Sequence, residues 1–350
     1  MSSPNADDEK YQNEILVGVS RTFALTIPQL PDPLRRAVSN AYLLCRIADT
    51  IEDDPELAAA DKRRYSDQFI EVVEGTADAG KFAQELHPHL SREFSAPERD
   101  LVLNTPRVIR ITHDFNSIQR QALNRCVRIM AQGMSDYQDQ ETTAGLASMA
   151  EMDRYCYYVA GVVGEMLTEL FCDSSAQIAA HRDTLMELAV SFGQGLQMTN
   201  ILKDIFDDRE RGACWLPRDV FARHGVELAE LVPGVDNPGF RAGLGDLIAI
   251  AKSHLNNALT YALLIPRENA GLRRFCLWAV GMAVLTLRKL DANRDFSDSS
   301  QVKISRRSVK ATVLLTNVAV RHDWALKRLF KIAAYGLPEP DIHEKLSVVN

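Results

Sequence analysis

The sequence predicts an all-α protein. Three observations carry that prediction. Apolar residues recur at helical spacing over long stretches, helix-start signals stand where those stretches begin, and alternating strand patterns with hairpin turns are nearly absent. The chain has 350 residues, 46 % of them apolar, which is ample for a real core. Its prolines gather at the joints, and none stands between Arg107 and Trp215.

The elements follow in order. Met1 to Gln12 is polar and acidic, without the basic and apolar regions of a signal peptide, and is expected to be a disordered tail. Asp32-Pro33 offers an N-cap and a proline at the first helical position. A helix then runs through Leu34, Val38, Ala41, Cys45 and Ala48, and Pro55 stops it. Ser148 with Glu151 three residues on is a capping-box pattern, opening a helix through Tyr155 and Met166 to about Phe171. Further helices are expected from about Arg182 past Asp208, from Leu272 to Leu290, and from Val309 to Ala334. The loop Glu227 to Phe240, with two Pro and two Gly, is the best boundary candidate, but it is short. The expectation is one domain over residues 13–336, followed by a tail at 337–350.

A net charge of −7 argues against nucleic acid as a partner. The six cysteines form no C-x-x-C pair, so neither a zinc site nor a redox motif is indicated, and their scatter suits a reducing cytoplasm. The longest apolar run, Leu277 to Leu287, is about half of the ~20 residues a membrane span requires.

Two acidic clusters share one spacing: Asp49-Thr50-Ile51-Glu52-Asp53-Asp54 and Asp204-Ile205-Phe206-Asp207-Asp208. In each, carboxylates at i, i+3 and i+4 share a helix face. Above the first, Tyr42 and Arg46 continue a polar stripe through Asp49 and Asp53. Above the second, Gln197 and Asn200 lead to Asp204 and Asp208. Asp and Asn are poor helix formers, so propensity does not explain them. Two carboxylates about 5–6 Å apart repel by roughly 3 kcal/mol at an effective dielectric near 20. A divalent cation removes that cost, and magnesium keeps waters and shares substrate phosphates. Either cluster alone reads best as a solvated helix end. Matched in spacing and each below a polar stripe, the two together indicate metal–diphosphate binding.

Tyr155-Cys156-Tyr157-Tyr158-Val159-Ala160-Gly161-Val162-Val163-Gly164 crowds three tyrosines into one helical turn and then spends two glycines. Gly193 and Gly195 repeat the feature. Close helix packing and room for a ligand are equally good explanations. No Gly-x-Gly-x-x-Gly follows a strand, so a Rossmann site is not expected. A basic segment, with Arg288, Lys303, Arg306, Arg307 and Lys310, could meet a dinucleotide, the solvent or a membrane.

At these residues the chain resembles the squalene and phytoene synthase family. The resemblance covers nearly the whole chain. It includes Ser20-Arg21-Thr22-Phe23, the two acid clusters, the tyrosine–glycine stretch, Gln197-Met198-Thr199-Asn200 and Trp215-Leu216-Pro217. Phe275-Cys276, Met282-Ala283, Thr286-Leu287 and Val302-Lys303-Ile304 resemble the squalene-synthase branch. The resemblance implies a single isoprenoid-synthase (terpenoid-synthase) domain with a central apolar cavity. It implies head-to-head condensation of two farnesyl diphosphates through presqualene diphosphate, then reduction by NADPH to squalene. Mg2+, with Mn2+ as a substitute, would be held by Asp49, Glu52, Asp53, Asn200, Asp204 and Asp208. Tyr155 would be the catalytic tyrosine, and Gln197 and Asn200 would line the same mouth. Phe23, Tyr42 and Phe275 would face cationic intermediates. Arg21, Arg46, Lys203, Lys303 and Arg306 would contact diphosphate or NADPH phosphates.

Three positions depart from the eukaryotic pattern: Lys203 for Arg, Ser305 for a second basic residue, and Ala279 for Pro. The C-terminal membrane anchor of the eukaryotic enzymes is not recognised, so the expected location is the cytoplasm, with peripheral membrane contact for an insoluble product. Two alternatives follow. One is a related synthase making dehydrosqualene, phytoene or hydroxysqualene without reduction. The other is an inactive helical scaffold with acidic binding faces.

Overall fold

A computed structural model describes residues 6–20, 22–138 and 143–339. Among the described residues all regular elements are helical, and an isolated bridge pairs Leu146 with Pro217. The chain packs as two compact units, one of residues 1–139 and 165–182, the other of residues 140–164 and 183–350. The Glu227–Phe240 loop lies inside the second unit.

In the first unit, helix α1 (Ala6–Val19), α2 (Leu34–Glu52), α3 (Ala59–Glu74) and α4 (Ser117–Gln138) pack about α2. α1 replaces much of the disordered tail expected over Met1 to Gln12. Its anchor is Asp8, 1 % exposed, whose carboxylate accepts from Arg110 Nε at 2.9 Å and Nη2 at 2.6 Å. A buried carboxylate in such a bidentate pair is compensated.

α2 starts one residue later than its cap signal suggests. Pro33 occupies the cap position with no side-chain cap, and Asp32 pairs instead with Arg35 at 2.9 Å. α2 ends at Glu52, before Pro55, as expected. Asp54 then serves structure: fully buried, it accepts from the backbone N–H of Glu56, Leu57 and Ser91 at 2.8, 3.1 and 2.8 Å. Those bonds satisfy a carboxylate that burial would otherwise penalise.

The second unit contains α5 (Met149–Cys156), α6 (Arg182–Glu210), α7 (Pro238–Leu264), α8 (Ala270–Ala292), α9 (Arg306–Ala319) and α10 (Asp323–Ala333). Ser148 caps α5 by accepting from Glu151 N. Glu151 completes only half of the expected box, since its carboxylate takes Ala147 N at 2.9 Å. A π turn over Tyr157–Gly161 follows, and helix resumes at Val162–Ser174. The glycines there serve close packing. A Cβ on Gly164 would stand 2.1 Å from the Ala189 carbonyl oxygen, and one on Gly193 2.1 Å from that of Ala160. The single helix expected from Val309 to Ala334 is two, parted at Val320–His322.

α8 exceeds the sequence expectation for apolar length. It is long and apolar enough to cross a membrane by length and composition, but 72 % of its apolar window is buried inside the protein. It packs against α7, α9 and α10 as a core helix. Leu337, at the start of the expected tail, is buried, and Lys252 Nζ donates to its carbonyl oxygen at 3.2 Å. The remainder of that tail, residues 340–350, lies outside the described residues. All six cysteines are free thiols.

Candidate active site

Along α2 the polar stripe is real. Tyr42, Arg46 and Asp49 are half-buried and Asp53 is exposed, whereas Leu43, Leu44, Cys45, Ile47, Ala48, Thr50 and Ile51 are buried. Asp49 keeps 28 % of its side-chain surface accessible. Desolvation first, and the neighbouring Asp53 charge second, push its carboxyl up to about 7, against the pull of Arg46. A divalent cation at this pair would relieve that penalty, so the residues present fit one. Glu52 is buried, in contrast to Asp53.

Arg46 is held from outside the helix. Its Nη2 donates to Glu98, and its Nη1 lies 3.9 Å from Asp49. Burial works against the Arg46 charge, and the Asp49 and Glu98 carboxylates more than offset it. Glu98 is itself fixed by a complete capping box, where its Oε2 accepts from Ser95 N at 2.9 Å. The Ser95-x-x-Glu98 pattern is the sequence signal for this residue, which is not among the site residues the sequence predicts. Tyr42 donates its hydroxyl to the Val19 carbonyl oxygen at 3.0 Å, and its ring stands 5.2 Å from that of Phe23. Burial raises the Tyr42 hydroxyl above its ordinary pKa. Arg21 lies outside the described residues.

The second unit carries the other stripe. On α6, Gln197, Asp204 and Asp208 are half-buried and Asn200 is exposed, between buried Met198, Thr199, Ile201, Leu202, Ile205 and Phe206. Here the carboxylates are already matched. Asp204 pairs with Lys203, Asp208 with Arg211 at 2.7 Å, and Asp207 accepts from Ser299 N at 3.2 Å. Asp207 therefore ties down the segment that leads to Lys303.

Tyr155 is 5 % exposed, and its ring stacks on Trp215 at 4.1 Å with planes 6° apart. Two residues earlier, burial pushes the Asp153 carboxyl up to about 6, and its buried Oδ1 has no hydrogen-bond partner. Phe275 is buried on α8. Lys303 and Arg306 are exposed, apart from the α6 stripe in sequence, at the entry to α9. Ser305 caps α9 by accepting from Ser308 N at 3.1 Å. Among the described residues no group of three or more His, Cys, Asp or Glu is arranged to hold a metal by itself.

Comparison with known proteins decides the family. The family model for squalene/phytoene synthase matches residues 16–308. The chain belongs to the squalene/phytoene synthase family. Botryococcus squalene synthase of Botryococcus braunii is 30 % identical over 287 residues, covering 78 % of this chain and 56 % of that protein. The squalene synthase of Eremothecium gossypii is 27 % identical, covering 84 % and 64 %. The chain thus spans less than two thirds of the length of these relatives. Among solved structures, the complex of TcSQS with E5700 superposes with a TM-score of 0.71 at 25 % identity, covering 94 % of this chain and 90 % of that one. A dehydrosqualene synthase complex shares the fold, with a TM-score of 0.63 at 22 % identity over 88 % and 94 %. The fold is the all-α terpenoid-synthase type of this family.

Proposed function

We propose that this chain condenses two farnesyl diphosphates head to head, through presqualene diphosphate, and reduces the product to squalene with NADPH. The observation that carries the reading is Asp49: accessible, beside Asp53, and held near neutrality by burial. Such a carboxylate gains from a divalent cation, and magnesium keeps coordination positions open for substrate phosphates. Bound Mg2+ would stabilise the negative charge of a departing diphosphate.

On α2, Asp49 and Asp53 would hold Mg2+, with buried Glu52 supporting them; on α6, Asn200, Asp204 and Asp208 would do the same. Lys203 and Arg211 neutralise the second set in advance. Tyr155, its ring clamped against Trp215, would present its hydroxyl to the departing diphosphate and the proton lost in cyclopropane formation. The faces of Phe23 and Tyr42 would stabilise cationic intermediates, with Phe275 adding apolar wall. Apolar surroundings exclude water that would quench those cations. Lys303 and Arg306, exposed cations, fit NADPH phosphates, whereas Arg46 is committed to Glu98 and Asp49.

A second reading, release of an unreduced product, is favoured by one observation. Ser305 caps α9 where the resemblance expects a second basic residue. The test is to incubate purified protein with farnesyl diphosphate and Mg2+, with and without NADPH, and identify the hydrocarbon. Squalene only when NADPH is present supports the proposal. A product unchanged by NADPH replaces it with the second reading, and no release of diphosphate sinks both.

A further inference from the structure

The helix before the last described one, α9, has its amphipathic order reversed. α9 buries Thr312, Thr316 and Ala319 and exposes Leu314, Leu315 and Val318. Close packing explains the inward threonines: a Cβ on Gly281 of α8 would stand 2.7 Å from Thr312 Cγ2, so only small side chains fit. Nothing in that packing requires leucine and valine outside. Yet Leu314 is 64 % and Val318 75 % exposed, and on and after α10 Trp324 is 71 % and Tyr335 81 % exposed. Six of the twelve strongly exposed large apolar side chains among the described residues fall between Leu314 and Tyr335. Apolar surface concentrated in this way marks an interaction site.

Charge identifies the partner. Between Ile304 and Leu337 stand seven Lys and Arg and one carboxylate, Asp323, in a chain whose net charge is −7. That carboxylate is already taken by Arg267 and Arg273, each at 2.7 Å. Among the described residues none of the seven cations is engaged in an ion pair, and they stand in or between the same helices as the apolar patch. A second copy pairing symmetrically through this same face would bring the same positive charge and repel it. An anionic lipid surface is complementary, and Trp and Tyr beside Lys and Arg suit the bilayer interface. A groove of about 350 Å³ runs between α8, α9 and α10, lined by Val284, Leu285, Leu315, Leu329, Phe330 and Ile332. Leu315 and Ile332 belong to both the groove and the exposed patch.

We propose that α9, α10 and Tyr335 form a docking face for an anionic bilayer, with the groove receiving an apolar chain from it. This rests on the patch and its charge, independently of the catalytic reading. The break at Val320–His322 lets two helices share the face in place of one long helix.

The test is flotation of the full chain with phosphatidylcholine vesicles containing roughly 30 % phosphatidylglycerol, against pure phosphatidylcholine. Binding to the anionic vesicles should be roughly tenfold stronger, and should fall when salt rises from about 0.1 to about 0.5 M. Leu314→Ser with Val318→Ser should lower it roughly tenfold while circular dichroism and Tm stay unchanged. Lys327→Glu with Arg328→Glu should remove the preference for anionic lipid. Equal binding to both vesicle types, or binding unaffected by either double variant, overturns the proposal. So does a dimer in solution that Leu314→Ser with Val318→Ser dissolves.

Discussion

The two acid clusters have the same spacing and opposite electrostatics. On α2, Asp49 and Asp53 raise one another's energy, and the nearest guanidinium, Arg46, is shared with Glu98. On α6, Lys203 and Arg211 sit on Asp204 and Asp208. Spacing decides which carboxylates share a face, but the surrounding protein decides how much an arriving cation would gain. The first cluster carries a penalty that a divalent cation would relieve, and the second is already balanced by its own cations.

The largest expected effect tests whether both clusters act at all. On the proposed reaction, Asp49→Asn and Asp204→Asn should each lower diphosphate release from farnesyl diphosphate by at least about 10²-fold, because each would remove charge that holds the leaving group's counterion. Helical circular dichroism should be unchanged. Near-normal turnover in Asp204→Asn would reduce the second cluster to a solvated helix face and leave the first to act alone.

Stability against pH should separate the two units next. Asp49 has its carboxyl raised from 3.8 to about 7, so folding takes up a proton between those values. Its ionisation penalty is absent below about 4 and complete above about 7. In metal-free protein, Asp49→Asn should therefore gain on wild type as pH rises, by on the order of 3 kcal/mol after allowance for its exposure. Asp204→Asn should show no such gain, since it breaks an ion pair. The second unit holds the opposite device. His254 is buried, hydrogen-bonded through Nδ1 to Ser191 Oγ at 2.8 Å, and held down at about 4 by burial against an ordinary 6.5. The unfolded chain binds that proton first, so this stability is full above 6.5 and lost as pH falls towards 4. His254→Asn should gain on wild type over that acid range, also by on the order of 3 kcal/mol. Urea unfolding in chelator across pH 4–8 reads both, and parallel profiles for the two variants would refute the contrast.

A smaller effect concerns the segment that Asp207 ties to Ser299. Lys303→Ala should raise the NADPH concentration needed for half-maximal squalene formation roughly tenfold, the loss of about one charge-assisted hydrogen bond. Presqualene diphosphate formation should not change. An equal loss in both steps would place Lys303 with the clusters and away from the reductant.

Legibility in the sequence followed the range of the interactions. The helices with proline or capping punctuation were readable, as were both polar stripes, because i, i+3 and i+4 neighbours are fixed locally. α1 was not, since Asp8 is made tolerable by Arg110, about a hundred residues away. The split at Val320–His322 was hidden because neither Gly nor Pro marks it. The roles of Gly164 and Gly193 depended on the Ala189 and Ala160 carbonyls they meet. Likewise the spacing of the clusters was visible, but the Glu98 that holds Arg46 and the Trp215 beneath Tyr155 are non-local partners. The difference between the clusters came from those partners and from an adjacent lysine whose direction the sequence does not give.

The smallest predicted effect converts one cluster towards the other. Lys203→Met removes the cation from Asp204 but keeps the length of an aliphatic stem. Asp204 would then lack its paired ammonium and gain more from a divalent ion, as Asp49 would. Part-exposed ion pairs are worth only about 0.2–1 kcal/mol, so the gain in metal affinity is bounded at about 1.4- to fivefold. The Mg2+ concentration for half-maximal diphosphate release, measured without NADPH so that no reductive step intervenes, should fall by that factor. A rise would mean that Lys203 itself binds diphosphate and that the ammonium serves substrate more than it shields Asp204. In either direction the sign of the shift assigns Lys203 to one of two roles that the clusters' common spacing leaves indistinguishable.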